Sequence, residues 1–209
     1  MSSHLKFDPA RAMEHLRHQD LVLAGLIEKV GPFSLQLHPT SNLFEALLRS
    51  IVYQQLHGKA AATILGRVLA VLTPYGGANP AAFTAATDEQ LRGAGLSRAK
   101  LAAARDLAAK CIAGTVPAWR EAKKMNDEEL LARLTEVRGI GPWTVHMLLI
   151  FNLGRPDVLP VGDFAIRLAF KKLYRKRKDP KPEALLKHAR CWQPYRSVAS
   201  WYLWRSLDL

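Results

Sequence analysis

The sequence predicts an all-α protein, and three observations carry that expectation. Apolar residues recur at helical spacing from one end of the 209-residue chain to the other. Alternating period-two runs are almost missing; "FSLQLHP" at 33–39 is the one fair strand candidate, and it is short. Turn-forming residues collect between the helical stretches rather than inside them. In order, "LFEALLRSIVYQQL" (43–56) lines Phe44, Leu47, Leu48, Ile51 and Val52 along one face, and "AAATILGRVLAVL" follows after a break at Gly58. "TPYGGANP" (73–80) reads as a loop. Ser97 can cap a helix running to about Ile112, which Gly114 can close. Asn126 with Glu129 has capping-box spacing and opens a helix through Leu130, Leu131 and Leu134 to Val137. After "EVRGIGPWTVHMLLI" (136–150), "NLGRPDVLPVGD" (152–163) is a proline- and glycine-bearing connection. Asp163 stands at an N-cap position ahead of Phe164, Ile166, Arg167 and Phe170. "PEALLKHARCW" and "YRSVASWYLWRSL" are the last two helices, and no repeat or low-complexity segment marks a linker.

Composition narrows the function classes. The chain is 49% hydrophobic, enough to bury a core at this length. Lys and Arg outnumber Asp and Glu 30 to 18, for a formal charge of +12 and a pI near 10.0. A polyanion is therefore the expected partner, nucleic acid first and an acidic membrane surface second. No stretch has the apolar length of a membrane span, and "MSSHLKFDPARAMEHLRHQD" is polar where a signal peptide needs an apolar centre. The expected location is cytoplasmic, with nucleoid association if the source is bacterial. Cys111 and Cys191 are the only cysteines, too few for a disulfide framework, a paired-cysteine zinc motif or an iron–sulfur cluster. No side-chain metal site is expected.

"RGIGPW" reads as helix, hairpin, helix. Pro142 suits the first turn of a new helix, whose N–H has no intrahelical partner in any case. Glycines at 139 and 141 permit positive φ and leave no side chain to hold an approaching group away. Backbone N–H groups and the positive end of the new helix then form a seat for one phosphate. Such a seat positions a protein on DNA without reading bases. A glycine-rich turn joining packed helices would use the same residues.

With these residues in view, the chain resembles the helix-hairpin-helix superfamily of base-excision DNA glycosylases. "LTEVRGIGPWTVHMLLI" followed by "DVLPVGDFAIR" looks like its hairpin, Gly/Pro-rich loop and aspartate, and the 3-methyladenine DNA glycosylase II branch is the nearest in look. "SIVYQQLHGKAAATILGRV", "LSRAKLAAARDLA" and "WQPYRSVASWYLWR" agree in the same order, so the likeness runs from about residue 20 to the end. The resemblance implies one glycosylase domain of two helical lobes with a central cleft, roughly 1–40 with 164–209 and 41–163. It also implies no separate N-terminal β domain, for which the chain is too short.

The resemblance further implies a chemistry. Breaking the bond between base and deoxyribose builds positive charge on the sugar, which a fixed carboxylate stabilises. Asp163 matches the family's catalytic aspartate; activating water and stabilising charge are both open to it, and so is a plain helix cap. Lyase-competent relatives carry a lysine where this chain has Trp143, so base removal by water without strand cleavage is expected. Leu56 matches the side chain that enters the duplex when the base is rotated out, with His57 as companion, although Leu56 could instead be a core leucine. Trp143, Met147 and Tyr195 match the base pocket, where aromatic faces hold a cationic alkylated purine. Relatives with an aromatic at 147 or a tryptophan at 195 leave the preferred lesion open. Trp192, Trp201 and Trp204 are read as helix packing.

Arg138, Gly139, Ile140, Gly141, Thr144 and Lys59 are the expected phosphate contacts, with Arg98 and Lys100 as further candidates. "KKLYRKRKDPK" (171–181) is either a solvated face or a DNA-backbone contact. The implied activity is monofunctional excision of 3-methyladenine and 7-methylguanine from duplex DNA by a monomer. No cofactor is expected beyond a monovalent cation bridging hairpin and phosphate. Hypoxanthine, ethenoadenine, uracil or mismatch glycosylases, and a non-catalytic DNA-binding protein, are the alternatives.

Overall fold

The computed structural model describes residues 5–38, 40 and 42–209, and among these it contains helices and no strand. The chain divides into two compact units, residues 1–39 with 149–209 (unit 1) and residues 40–148 (unit 2).

Unit 2 holds α3 (Leu43–Tyr53), α4 (Gly58–Leu72), α5 (Pro80–Ala85), α6 (Asp88–Gly93), α7 (Arg98–Ile112), α8 (Trp119–Ala122) and α9 (Asp127–Thr135). It also holds most of α10 (Pro142–Phe151). The helices start where side chains satisfy the first unpaired amides. Asn42 accepts from Phe44 and Glu45, Ser97 from Lys100, and Asn126 from Glu129, while Thr87 and Gln90 form a full reciprocal capping box. Helix α7 lies at the centre of the unit, packed on α3 and α5. The apolar face of α3 is wholly buried, from Phe44 through Leu47, Leu48, Ile51 and Val52.

Unit 1 is made of α1 (Pro9–Gln19), α2 (Leu21–Val30), α11 (Phe164–Leu173), α12 (Pro182–His188) and α13 (Arg196–Arg205). Its core joins Leu16, Leu23, Ile27, Ile166, Phe170, Trp192, Val198 and Tyr202. Trp192 and Trp201 are core residues, as the packing reading expects.

Several expectations change. Residues 33–38 are irregular rather than a strand: Phe33 turns inward among Phe7, Trp201 and Tyr202, while the His38 amide donates to the Phe151 carbonyl, a helix end and not a strand edge. Pro39, the last residue of that candidate, lies outside the described residues. Gly58 is the first residue of α4 and not a break, and 73–80 opens with a 3-10 turn, Thr73–Tyr75, before Pro80 starts α5. Helix α9 stops at Thr135, two residues early, because the chain must enter the hairpin. The expected boundary near 163 falls instead between Leu148 and Leu149, within α10, so the 152–163 loop and Asp163 both belong to unit 1.

Candidate functional site

In unit 2 the hairpin is fastened from α7. Asp106 Oδ2 accepts the Arg138 amide at 2.7 Å and the Lys110 ammonium at 2.8 Å, and Lys110 also donates to the Glu136 carbonyl at 2.6 Å. Burial opposes the charge on Asp106, but the Arg138 amide and Lys110 outweigh it and hold the carboxyl below its ordinary range. Gly139 sits at φ +78°, and a Cβ there would lie 3.3 Å from that of Ala103, so this position needs glycine. Gly141 takes no positive φ, contrary to expectation; a Cβ there would meet no atom within 4 Å, and its role is open space.

The expected phosphate contacts are narrowed by these bonds. The Arg138 amide is spent on Asp106, and the Ile140 amide on the Val137 carbonyl at 3.0 Å. Ile140 and Thr144 are themselves buried, 3% and 5% exposed. What the hairpin offers outward is the Gly139 and Gly141 main chain and the exposed Arg138 side chain; Lys59 is exposed in the first turn of α4. Lys100 spends one of its three N–H donors on the Val52 carbonyl at 2.7 Å, and burial holds its pKa below the usual lysine value. Leu56 stands on an exposed tip, 39% accessible, and is not a core leucine; His57 beside it is exposed too. Trp143 is 48% exposed and Met147, one turn on, is half-buried.

In unit 1, Asp163 is the N-cap of α11. Its Oδ1 accepts the Ile166 amide at 2.8 Å and the Trp204 indole N–H at 3.3 Å, and 9% of its surface stays accessible. The cap reading holds, with the carboxylate at the positive end of a helix, and it leaves the catalytic reading open. The loop that delivers Asp163 is bolted to the start of α13. Asp157 receives a bidentate bond from Arg196, at 2.7 and 2.9 Å, and Ser197 Oγ accepts the Val158 amide at 2.9 Å.

Trp204 packs against the core of unit 1, as the packing reading expects, and in addition donates its indole N–H to Asp163. It is half-buried, stacks on Phe151 at 5.6 Å, and Phe151 stacks in turn on His38 at 5.7 Å. This stack faces a groove of about 550 Å³ that Val30, Pro32 and Trp201 also line. Periodicity cannot find such a residue, because its partner lies 41 positions away. Tyr195, the expected pocket aromatic that falls in this unit, is half-buried between Phe7 and the edge of His15.

Two further polar features lie in unit 1. Asp20 is the centre of a buried polar network: Oδ2 accepts from Tyr174 OH (2.6 Å) and Trp192 Nε1 (2.9 Å) and lies 3.0 Å from His188 Nε2. Its Oδ1 accepts the Val22 and Leu23 amides. Asp20, His188 and Cys191 bring ligand atoms within 4.8 Å of one another, but the carboxylate is already engaged by these donors, which suits a structural anchor better than a cation. The basic run forms part of a cavity of about 580 Å³ lined by Lys176, Arg177, Lys178 and Lys187 over Phe170 and Pro180. No helix among the described residues is long and apolar enough to cross a membrane.

With this geometry in hand, comparison with known proteins is specific. Residues 48–194 match the HhH-GPD superfamily base excision DNA repair protein family, a span that includes the Leu56 tip, the hairpin and Asp163. The chain is 39% identical over 166 residues to DNA-3-methyladenine glycosylase 1 of Schizosaccharomyces pombe, covering 79% of this chain and 73% of that protein. Among solved structures it resembles the S. pombe 3-methyladenine DNA glycosylase in complex with abasic DNA, with TM-score 0.79 and 35% identity over 95% of this chain and 97% of that one. It also resembles a DNA-3-methyladenine glycosidase from Bacillus halodurans, with TM-score 0.84 and 34% identity over 98% and 92% of the two chains. The chain belongs to the HhH-GPD superfamily of base excision DNA repair proteins.

Proposed function

We propose that this protein is a monofunctional DNA glycosylase that removes alkylated purines, 3-methyladenine and 7-methylguanine, from duplex DNA by hydrolysis. The observation that carries the reading is the fixed carboxylate of Asp163, held by the Ile166 amide and the Trp204 indole on a loop that Arg196 clamps. A carboxylate so held needs little reorganisation as positive charge develops on the sugar. An alkylated purine is already cationic, so it leaves without strong acid catalysis, and electron-rich rings hold it by cation–π attraction. Trp143 is exposed for such a contact in unit 2, with Met147 one turn along the same helix, and within unit 1 the half-buried ring of Tyr195 is of the same electron-rich kind. No amine stands at Trp143 to form a Schiff base, so water is the nucleophile and the DNA strand stays intact.

Leu56 with His57 is the wedge that fills the stack when the damaged nucleotide leaves it. Gly139, Gly141, Arg138 and Lys59 hold a neighbouring phosphate. A monovalent cation on the hairpin would be held by main-chain carbonyls. Those of Val137 and Gly139 each keep a lone pair beyond the bond already accepted, and the ion would supply positive charge toward the phosphate.

The test is excision from duplexes bearing one 7-methylguanine, 3-methyladenine, hypoxanthine, ethenoadenine or uracil, read with and without alkali. Release of the methylated purines, with strand breaks only after alkali, is expected. Asp163→Asn should lower single-turnover excision by about 100- to 1,000-fold, the size typical of removing one preorganised electrostatic group. Full activity in that variant would refute the catalytic role, and excision of uracil alone would refute the substrate class.

A further inference from the structure

Two side-chain bonds inside unit 2 fasten the chain where it enters the Leu56 tip, and one of them is made by Gln54, a residue with no role in the reading so far. Gln54, the residue that ends α3, donates Nε2 to the Gly139 carbonyl at 2.8 Å, across 85 positions of sequence. Lys100, in the first turn of α7, donates Nζ to the Val52 carbonyl at 2.7 Å, one of those left unpaired at the end of a helix. Just after these fastenings the chain turns sharply. Gln55 occupies the left-handed region at φ +57°, unfavourable for a residue with a Cβ, and Leu56 follows with its side chain in solvent. A strained turn that carries an exposed leucine and is fastened on its entry side is under positional control.

The partner of Gln54 matters as much as the bond. Gly139 is the left-handed residue of the hairpin, and the carbonyl that Gln54 uses belongs to the same turn whose outward main chain is the proposed phosphate seat. One amide side chain thus spans two parts that have to act on one duplex together, the part that grips the strand and the part that enters the stack. Their separation must match the DNA for the wedge to arrive where a base has left.

We propose that Gln54 is a positioning residue that sets Leu56 against the hairpin, and that it acts when a stacked base pair has to be opened. The proposal rests on the reading of Leu56 as the wedge and of the hairpin as the phosphate seat. Its consequence is selective. Loss of the Gln54 donor slows excision of a lesion that is paired and stacked, and spares a lesion that is already unstacked.

The test uses the full chain and a single 7-methylguanine in two duplexes, one with the lesion paired to cytosine and one with it opposite a one-nucleotide gap. Single-turnover rates are compared for wild type, Gln54→Ala, Gln54→Glu and Leu56→Ala. Glutamate keeps the shape of glutamine and removes the donor, so it separates the hydrogen bond from packing. Both Gln54 variants are expected to lose roughly fivefold on the paired lesion, the fold-change that one neutral hydrogen bond corresponds to, and less than about twofold on the gapped one. If Leu56→Ala cuts the paired lesion at the wild-type rate, the wedge reading fails and takes this proposal with it. If Leu56→Ala is slow and both Gln54 variants are not, the positioning role alone is overturned. Equal losses on the two duplexes would mean a general structural effect and would overturn it as well.

Discussion

The two hairpin glycines offer a prediction that separates folding from binding. Gly139 has φ +78° and Gly141 does not take positive φ, so an alanine costs different things at each. At 139 the left-handed conformation costs about 1–2 kcal/mol for a residue with a Cβ. The new methyl also comes 3.3 Å from Ala103 Cβ, which must yield slightly. For a chain of this size that loss lowers the thermal midpoint by about 2–8 °C. At 141 the methyl meets no protein atom within 4 Å, and the residue precedes Pro142, where extended backbone is preferred. Stability should be unchanged or rise by about 0.4–1 kcal/mol through the unfolded chain. The same methyl would stand where a phosphate approaches the Gly141 amide. Loss of one charge-assisted bond of about 1.5–3 kcal/mol weakens binding roughly 10- to 150-fold. Thermal melting and fluorescence anisotropy with an undamaged duplex at fixed salt give the two readouts. The salt slope should not change in Gly141→Ala, because no cationic side chain is removed. If Gly141→Ala binds like wild type, the amide seat is not used. If Gly139→Ala melts like wild type, the turn is not strained as described.

Two further outcomes follow from the polar fastenings of unit 1. In Asp20→Asn the amide oxygen can still cap α2, but its NH2 then faces the Trp192 indole N–H, a donor with no acceptor, and urea denaturation should show a loss of about 2–4 kcal/mol. Burial opposes the Asp20 charge, yet bonds from His188, Tyr174 and Trp192 outweigh it and hold the folded pKa well below the unfolded value of about 3.9. The stabilisation is therefore complete above about pH 5 and fades as pH falls below about 4, so the gap between wild type and variant should narrow in acid; parallel pH curves would contradict this. Arg196→Ala frees Asp157 and loosens the loop that carries Asp163, so excision should slow about tenfold while affinity for undamaged duplex, measured by anisotropy, stays the same. Unchanged excision would show that the clamp serves stability alone.

Which parts were legible in the sequence follows from the range of the interactions involved. The helical class, the caps at Ser97, Asn126 and Asp163, the helix–hairpin–helix and the exposed tip at Leu56 all depend on residues within a few positions of one another, and a local pattern records them. The strand candidate at 33–39 is irregular over its described residues, 33–38, because so short an alternation cannot tell a sheet from an irregular segment whose inward residues meet an aromatic cluster. Gly139 and Gly141 look alike in sequence, and only the backbone angles assign strain to one and open space to the other.

The rest was decided by contacts that cross long stretches of chain. Trp204 reaching Asp163, Gln54 reaching Gly139, Lys100 withdrawn onto Val52, and Asp20 collecting Tyr174, His188 and Trp192 each join residues 41 or more positions apart. What the sequence determined by itself is where helices begin, where the chain turns and which carboxylate caps the helix after the loop, because those preferences are set by neighbouring side chains and amides. What only the tertiary structure decided is which polar groups are spent on the protein and which remain to meet a ligand, because a hydrogen bond is allotted by proximity in space, and proximity is the property that a linear pattern does not carry.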